Sequence, residues 1–216
     1  MDSIAVLGGT FNPIHIGHLN TALELLDQLP LTEIRFMPSA RPPHRKPPAV
    51  NLEIRAAMIE LAIAENPRLA CDRREARREG PSYTADSLEE LRAELGPSAP
   101  LIFLLGMDAF CSLPSWHRSS ELLNFAHLLV VARPGFEAPK SDWVATLIKA
   151  AVAPDALFDE PYGNVAQIAL TPQPVSSTSL RALLQSGLDA SASLPEPVNR
   201  FIRERGLYRV SKDHGS

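Results

Sequence analysis

The chain of 216 residues has only two cysteines, Cys71 and Cys111. That is too few for a disulfide framework or a cysteine-based zinc site, and a reducing compartment is expected. No apolar run approaches the roughly 18 residues that a membrane span requires. The opening, MDSIAVLGGTF, has neither the basic segment nor the long apolar stretch of a secretory signal, so a cytoplasmic protein is expected. An excess of positive charge is missing as well. The 21 Lys and Arg stand against 25 Asp and Glu, a net charge of −4, which argues against a general nucleic-acid binder. Neither nucleic acid nor membrane is an expected partner, while a homo-oligomer is left open. With 45% hydrophobic and 21% charged residues the composition is that of a soluble globular protein. Proline is what the chain has in excess, 20 residues against a usual share of about 5%.

Short apolar runs alternate with amphipathic stretches. Strands are predicted at residues 3–7, 34–37, 69–71, 101–105, 128–132 and 165–170. Helices are predicted over residues 17–29, 51–65, 84–95, 119–125, 142–152, 177–184 and 195–205. In the second helix Asn51 is the expected N-cap, with Ile54, Met58, Leu61 and Ala62 on one face. The run at 101–105 is apolar throughout, as a strand buried on both faces should be. Such alternation implies an α/β fold, a doubly wound parallel sheet of the Rossmann type with helices on both faces. No internal repeat and no long linker break it. One domain over residues 1–212 is expected, with a helical C-terminal portion from about 175 and a flexible tail at 213–216.

The most informative stretch is GTFNPIHIGH, residues 9–18, which leaves the first strand and opens the first helix. It is neither GxGxxG nor a P-loop, so a dehydrogenase reading fails. Helix N-terminal N–H groups and the helix dipole nevertheless favour anions there. Gly8 and Gly9 would let the backbone approach a ligand. His15 and His18 would share one side of the first turn, and Gly17 would leave room for a flat ring. Half of a metal site, or two unconnected structural histidines, are the competing readings. Far along the chain, VSSTSLR (residues 175–181) precedes another helix. Ser176 or Ser177 would cap that helix, and Arg181, three residues after Thr178, would project on the capped side. An ordinary capped helix with a surface arginine is the alternative.

Three further segments fall around the predicted sheet edge. Residues 38–48 hold five of the 20 prolines and display Arg41, His44, Arg45 and Lys46 from a stiff loop, suited to a phosphate. GPSYT, residues 80–84, precedes a helix that Thr84 would cap. The strand at 101–105 leads into Gly106 and Asp108, where open α/β sheets place ligands, and Trp116 follows, an aromatic able to stack on a flat ring.

GTFNPIHIGH resembles the GxFxPxHxGH signature of the nucleotidylyltransferases, and VSSTSLR is similar to the family's ISSTxxR motif. The family usually has Asp where this chain has Asn12. PPHR, GPSYTADSLEEL and FLLGMDAFCSLPSWHRSSEL, followed by Arg133-Pro134-Gly135, are similar to segments of the nicotinate mononucleotide adenylyltransferases, with Arg45 for the commoner Lys and Ser87 for Thr. The resemblance spans nearly the whole chain. It implies ATP + nicotinate mononucleotide → deamido-NAD + pyrophosphate, by in-line attack without a covalent intermediate. It also implies His15, His18 and Arg181 as catalytic residues. The ATP site would comprise Gly8, Gly9, Thr10, Phe11, His15, Gly17, His18, Gly106, Asp108, Arg133, Ser176, Ser177, Thr178 and Arg181. His44, Arg45, Tyr83, Thr84 and Trp116 would hold the mononucleotide. Mg²⁺ is implied, carried mainly by substrate phosphates, with no dedicated metal site in the protein. A sibling acting on phosphopantetheine should lack the SYT segment and Trp116, and a non-catalytic nucleotide module should lack a histidine.

Overall fold

The computed structural model describes residues 2–41, 48, 50–132 and 141–209. Six strands, β1 (Ile4–Gly9), β2 (Glu33–Pro38), β3 (Leu69–Cys71), β4 (Leu101–Gly106), β5 (His127–Ala132) and β6 (Val165–Ala169), form one parallel sheet. Their order is β3-β2-β1-β4-β5-β6. The helices are α1 (Ile16–Gln28), α2 (Leu52–Ile63), α3 (Thr84–Leu95), α4 (Met107–Cys111), α5 (Asp142–Lys149), α6 (Ser177–Gln185) and α7 (Glu196–Glu204).

Side chains alternate across the sheet, so each central strand feeds two cores. Ile102 and Leu104 of β4 join Ala5, Ile34 and Leu129 on one face, against Leu25 of α1, Met58 and Ile59 of α2, Leu180 of α6 and Val198 and Ile202 of α7. Leu101, Phe103 and Leu105 point the other way, with Val6, Leu128 and Val130, against Leu88 and Leu91 of α3, Phe110 of α4 and Val144 of α5. The C-terminal helices therefore share a core with the sheet, and α7 packs on α2.

Several expectations need correction. The short helix expected at residues 119–125 is a 3₁₀ helix, Ser119–Asn124. Helix α5 ends at Lys149, because Val152 is drawn off to make a parallel bridge with Ala166. Asn51 does cap α2, accepting from the Ile54 N–H at 2.9 Å. The buried face of that helix is different, however: Leu61 is 36% exposed while Arg55 is 1% exposed. A fully buried arginine wins a place on the inner face because backbone carbonyls meet its fork. Thr84 begins α3 as its first helical residue, and Tyr83 occupies the cap position.

At the N-terminal edge of the sheet, Arg92 of α3 donates to the carbonyls of Phe125 (2.9 Å), Gly96 (2.8 Å), Ala99 (2.7 Å) and Pro161 (2.8 Å). One side chain thus gathers three connecting segments. Arg92→Met should lower stability by about 2 kcal/mol through the orphaned carbonyls. By the size scaling of a chain this long, that is a fall of roughly 4–8 °C in Tm. Calorimetry checks it, and turnover per folded molecule should be unchanged.

Candidate active site

Strands β1 and β4 are neighbours at the point where the strand order reverses, so their C-terminal ends flank one crevice. Gly106 closes β4, and nothing lies within 4 Å of where a Cβ would stand. Asp108 follows, exposed, in the first turn of α4. At the other glycines of this edge the place of a Cβ is taken by the protein itself. A Cβ at Gly8 would come within 3.0 Å of the Phe103 ring, and one at Gly9 within 3.0 Å of the Phe11 ring. Their missing side chains admit aromatic rings of the protein itself. At Gly17 a Cβ would meet Val175 Cγ1 at 2.8 Å and Gln173 Cβ at 3.1 Å. The space foreseen for a flat ligand ring is filled by the segment that leads into α6.

The turn Thr10–His15 then delivers two imidazoles. His15 is the N-cap residue of α1 and is buried; His18 is the third residue of the helix. The rings stack with centroids 3.7 Å apart and planes 23° from parallel. The His15 backbone N–H donates to Nδ1 of His18 at 3.3 Å. An accepting Nδ1 leaves the proton of the neutral ring on Nε2, a ready-made neutral donor. Burial lowers the pKa of His15 to about 4, and burial together with His15 lowers that of His18 to about 3. Both rings are therefore uncharged at pH 7. The Phe11 ring, on a residue with φ +47°, presses edge-on against His18 at 5.0 Å. No acidic residue stands in the first turn of α1.

The second motif meets the first. Ser176 is the cap, accepting from the Ser179 N–H at 3.1 Å. That leaves Ser177 free to donate to the Pro13 carbonyl at 3.0 Å. Arg181 donates to the Asn12 carbonyl at 2.9 Å and to the Thr178 hydroxyl at 3.2 Å. Helix α6, like α1, has no acid in its first turn. Two positively polarised helix ends are thus stitched to one turn.

On the β4 side, the Tyr83 ring lies 4.2 Å from that of His117. Trp116 donates its indole N–H to Ser112 Oγ at 2.9 Å and meets the Phe103 ring edge-on at 6.4 Å. Phe103 also abuts Gly8, so contacts run unbroken from the end of β1 to Trp116. Reciprocal bonds of 3.2 and 3.1 Å between Arg41 and Ser82 tie the end of β2 to the segment before Thr84. His44, Arg45 and Arg133 lie outside the described residues.

Three participants escaped the sequence reading: Arg55, His117 and Tyr208. The hydroxyl of Tyr208 donates to Asn12 Oδ1 at 2.8 Å, and burial pushes its pKa up. Arg55 left a signal, a charge inside the apolar run IRAAMI, and His117 another, an aromatic beside Trp116. Tyr208 left none, since its partner is 196 residues away.

Residues 6–183 match the cytidylyltransferase-like family model. A probable nicotinate-nucleotide adenylyltransferase of Pseudomonas fluorescens is 46% identical over 208 residues, 96% of this chain and 97% of its own. One of Aeromonas hydrophila is 47% identical over 208 residues, 95% of this chain and 97% of its own. Among solved structures, Plasmodium falciparum nicotinic acid mononucleotide adenylyltransferase complexed with NaAD superposes with a TM-score of 0.72 at 18% identity, covering 96% of this chain and 98% of its own. That likeness bears out the Rossmann-type fold. With a family model spanning most of the chain and relatives this similar along nearly all of it, the chain belongs to the cytidylyltransferase-like nucleotidyltransferases, and among them to the nicotinate-nucleotide adenylyltransferase family.

Proposed function

We propose that the chain transfers the adenylyl group of ATP to nicotinate mononucleotide in NAD biosynthesis, giving deamido-NAD and pyrophosphate. One observation carries this reading: two acid-free helix N-termini are bonded through Asn12 and Pro13 to a single turn that ends in a stacked, neutral histidine pair. That is an anion site with donors already aligned. The relatives named for this reaction support the choice of acceptor.

The acceptor phosphate, with a second pKa near 6, is largely a dianion at pH 7 and needs no base. Its oxygen attacks the α-phosphorus in line, and the bond to the pyrophosphate oxygen breaks. His15 and His18 donate to the phosphates, with His18 Nε2–H nearest the developing charge. Backbone groups of residues 8–11 with Ser176, Ser177, Thr178 and Arg181 complete that subsite. Gly106, Asp108 and Arg133 line the adenosine side. His44 and Arg45 meet the acceptor phosphate, while Tyr83, Thr84 and Trp116 hold the pyridine ring. Mg²⁺ would neutralise charge across the phosphate oxygens. Such an ion would be carried mainly by phosphate oxygens and water. The same reading takes residues 1–212 as one domain, supported by the core that α6 and α7 share with the sheet. It also takes the cytoplasm as the place of action; no helix among the described residues is long and apolar enough to cross a membrane.

Incubation with Mg²⁺, ATP and nicotinate mononucleotide, nicotinamide mononucleotide or phosphopantetheine, followed by chromatography, should show deamido-NAD as the main product. Product from phosphopantetheine alone would overturn the acceptor. His18→Ala should lower kcat by about 10²–10³-fold, as loss of an oriented donor does, with an unchanged circular dichroism spectrum. Near-normal turnover would remove His18 from its role.

Acid should weaken the ligand-free protein. Both folded-state pKa values lie below the ordinary 6.5, so between pH 6.5 and about 4 the unfolded chain binds more protons than the folded one. Stability is then fully present above pH 6.5 and falls as pH drops through that window. His15→Gln should flatten the slope of Tm against pH there; an unaltered slope would contradict a neutral buried ring.

A further inference from the structure

Arg55 is 1% exposed and makes no ion pair among the described residues. Its guanidinium is instead shared by three backbone carbonyls from three separate segments. Nη1 donates to Thr10 in the turn after β1, Nη2 to Ser39 just past β2 at 2.8 Å, and Nε to Val50 ahead of α2 at 3.2 Å. The Ser39 N–H in turn donates to the Gly9 carbonyl at 2.9 Å. Its only hydrogen-bond acceptors among the described residues are carbonyls, and although the buried Glu75 carboxylate favours its charge from nearby, burying the guanidinium is expensive for stability alone; an apolar side chain would fill the volume with less desolvation. What the fork does, and an apolar side chain does not, is fix the distance between Thr10 and the end of β2.

That distance reaches the reacting groups. Thr10 precedes Phe11, whose ring braces His18 edge-on at 5.0 Å. We propose that Arg55 is a positioning residue for adenylyl transfer: its guanidinium sets the place of the Thr10–Phe11 turn, and through Phe11 the place of the His18 donor. This rests on the reaction proposed above. A donor displaced by about 1 Å loses transition-state contact more than ground-state binding, a loss of up to about 10² in rate.

Arg55→Lys tests it. The substitution keeps the charge and most of the stem but loses the planar fork. In the full-length protein kcat should fall about 10- to 100-fold while KM for ATP and for nicotinate mononucleotide each change less than about threefold. Amide hydrogen exchange without nucleotide should quicken over residues 9–18 and stay unchanged in β5. Unchanged kcat per folded molecule, a rise in KM with kcat preserved, or exchange that quickens evenly through all strands would each overturn the proposal. Arg55→Gln, neutral and still a donor, is read the same way if Arg55→Lys does not fold; failure of both to fold would make Arg55 a stability residue and also overturn it. The two readings separate cleanly. An unsubstituted protein that makes no deamido-NAD refutes the proposed reaction, whereas the exchange pattern bears on Arg55 with or without turnover.

Discussion

The turn between β1 and α1 belongs to neither element, and the carbonyls of Thr10, Asn12 and Pro13 are met neither by the sheet ladder nor by α1. Side chains from distant parts of the chain supply the donors: Arg55 to Thr10, Arg181 to Asn12, Ser177 to Pro13. A loop with unmet carbonyls beside a crevice would have to bond to water and move with it. Held from three sides, it becomes a rigid mount for the histidines. The arrangement of α2 and α6 around the sheet is best understood as what brings those donors there.

Electrostatics follow from that mount. The stacked rings of His15 and His18 cannot both be charged at 3.7 Å without strong repulsion, and burial already disfavours either charge. In the proposed reaction the site would meet phosphates with neutral N–H donors and polarised helix ends. Arg181 projects on the capped side of α6, where one arm of its guanidinium grips the Asn12 carbonyl and the other the Thr178 hydroxyl.

Much of this could be read from the sequence, because the signals were local. The β-α alternation, the Asn51 cap and the six strand positions depend on neighbours a few residues apart. The histidine pair was equally legible, as a spacing of three at a helix start. The glycines were legible as positions but not as reasons: that Gly17 accommodates Val175, rather than a ligand, depends on residues far along the chain. The inner face of α2 departs from its apolar pattern for the same cause. Apolar periodicity selects Leu61 for the interior, and only the three-dimensional supply of carbonyls explains why Arg55 is inside instead. Tyr208 and Asn12 show the limit most plainly, since neither residue has a pattern that names the other.

That last bond has a consequence for the order in which the protein is made. The first strand and its turn are synthesised well before their partners: the bonds from Ser177, Arg181 and Tyr208 come from residues 164, 169 and 196 positions later. On a growing chain, β1, β2 and β4 are available to pair long before those donors exist. The turn is therefore completed only after Tyr208 has been made, and a chain cut short before α6 would carry its histidines on an unfinished mount.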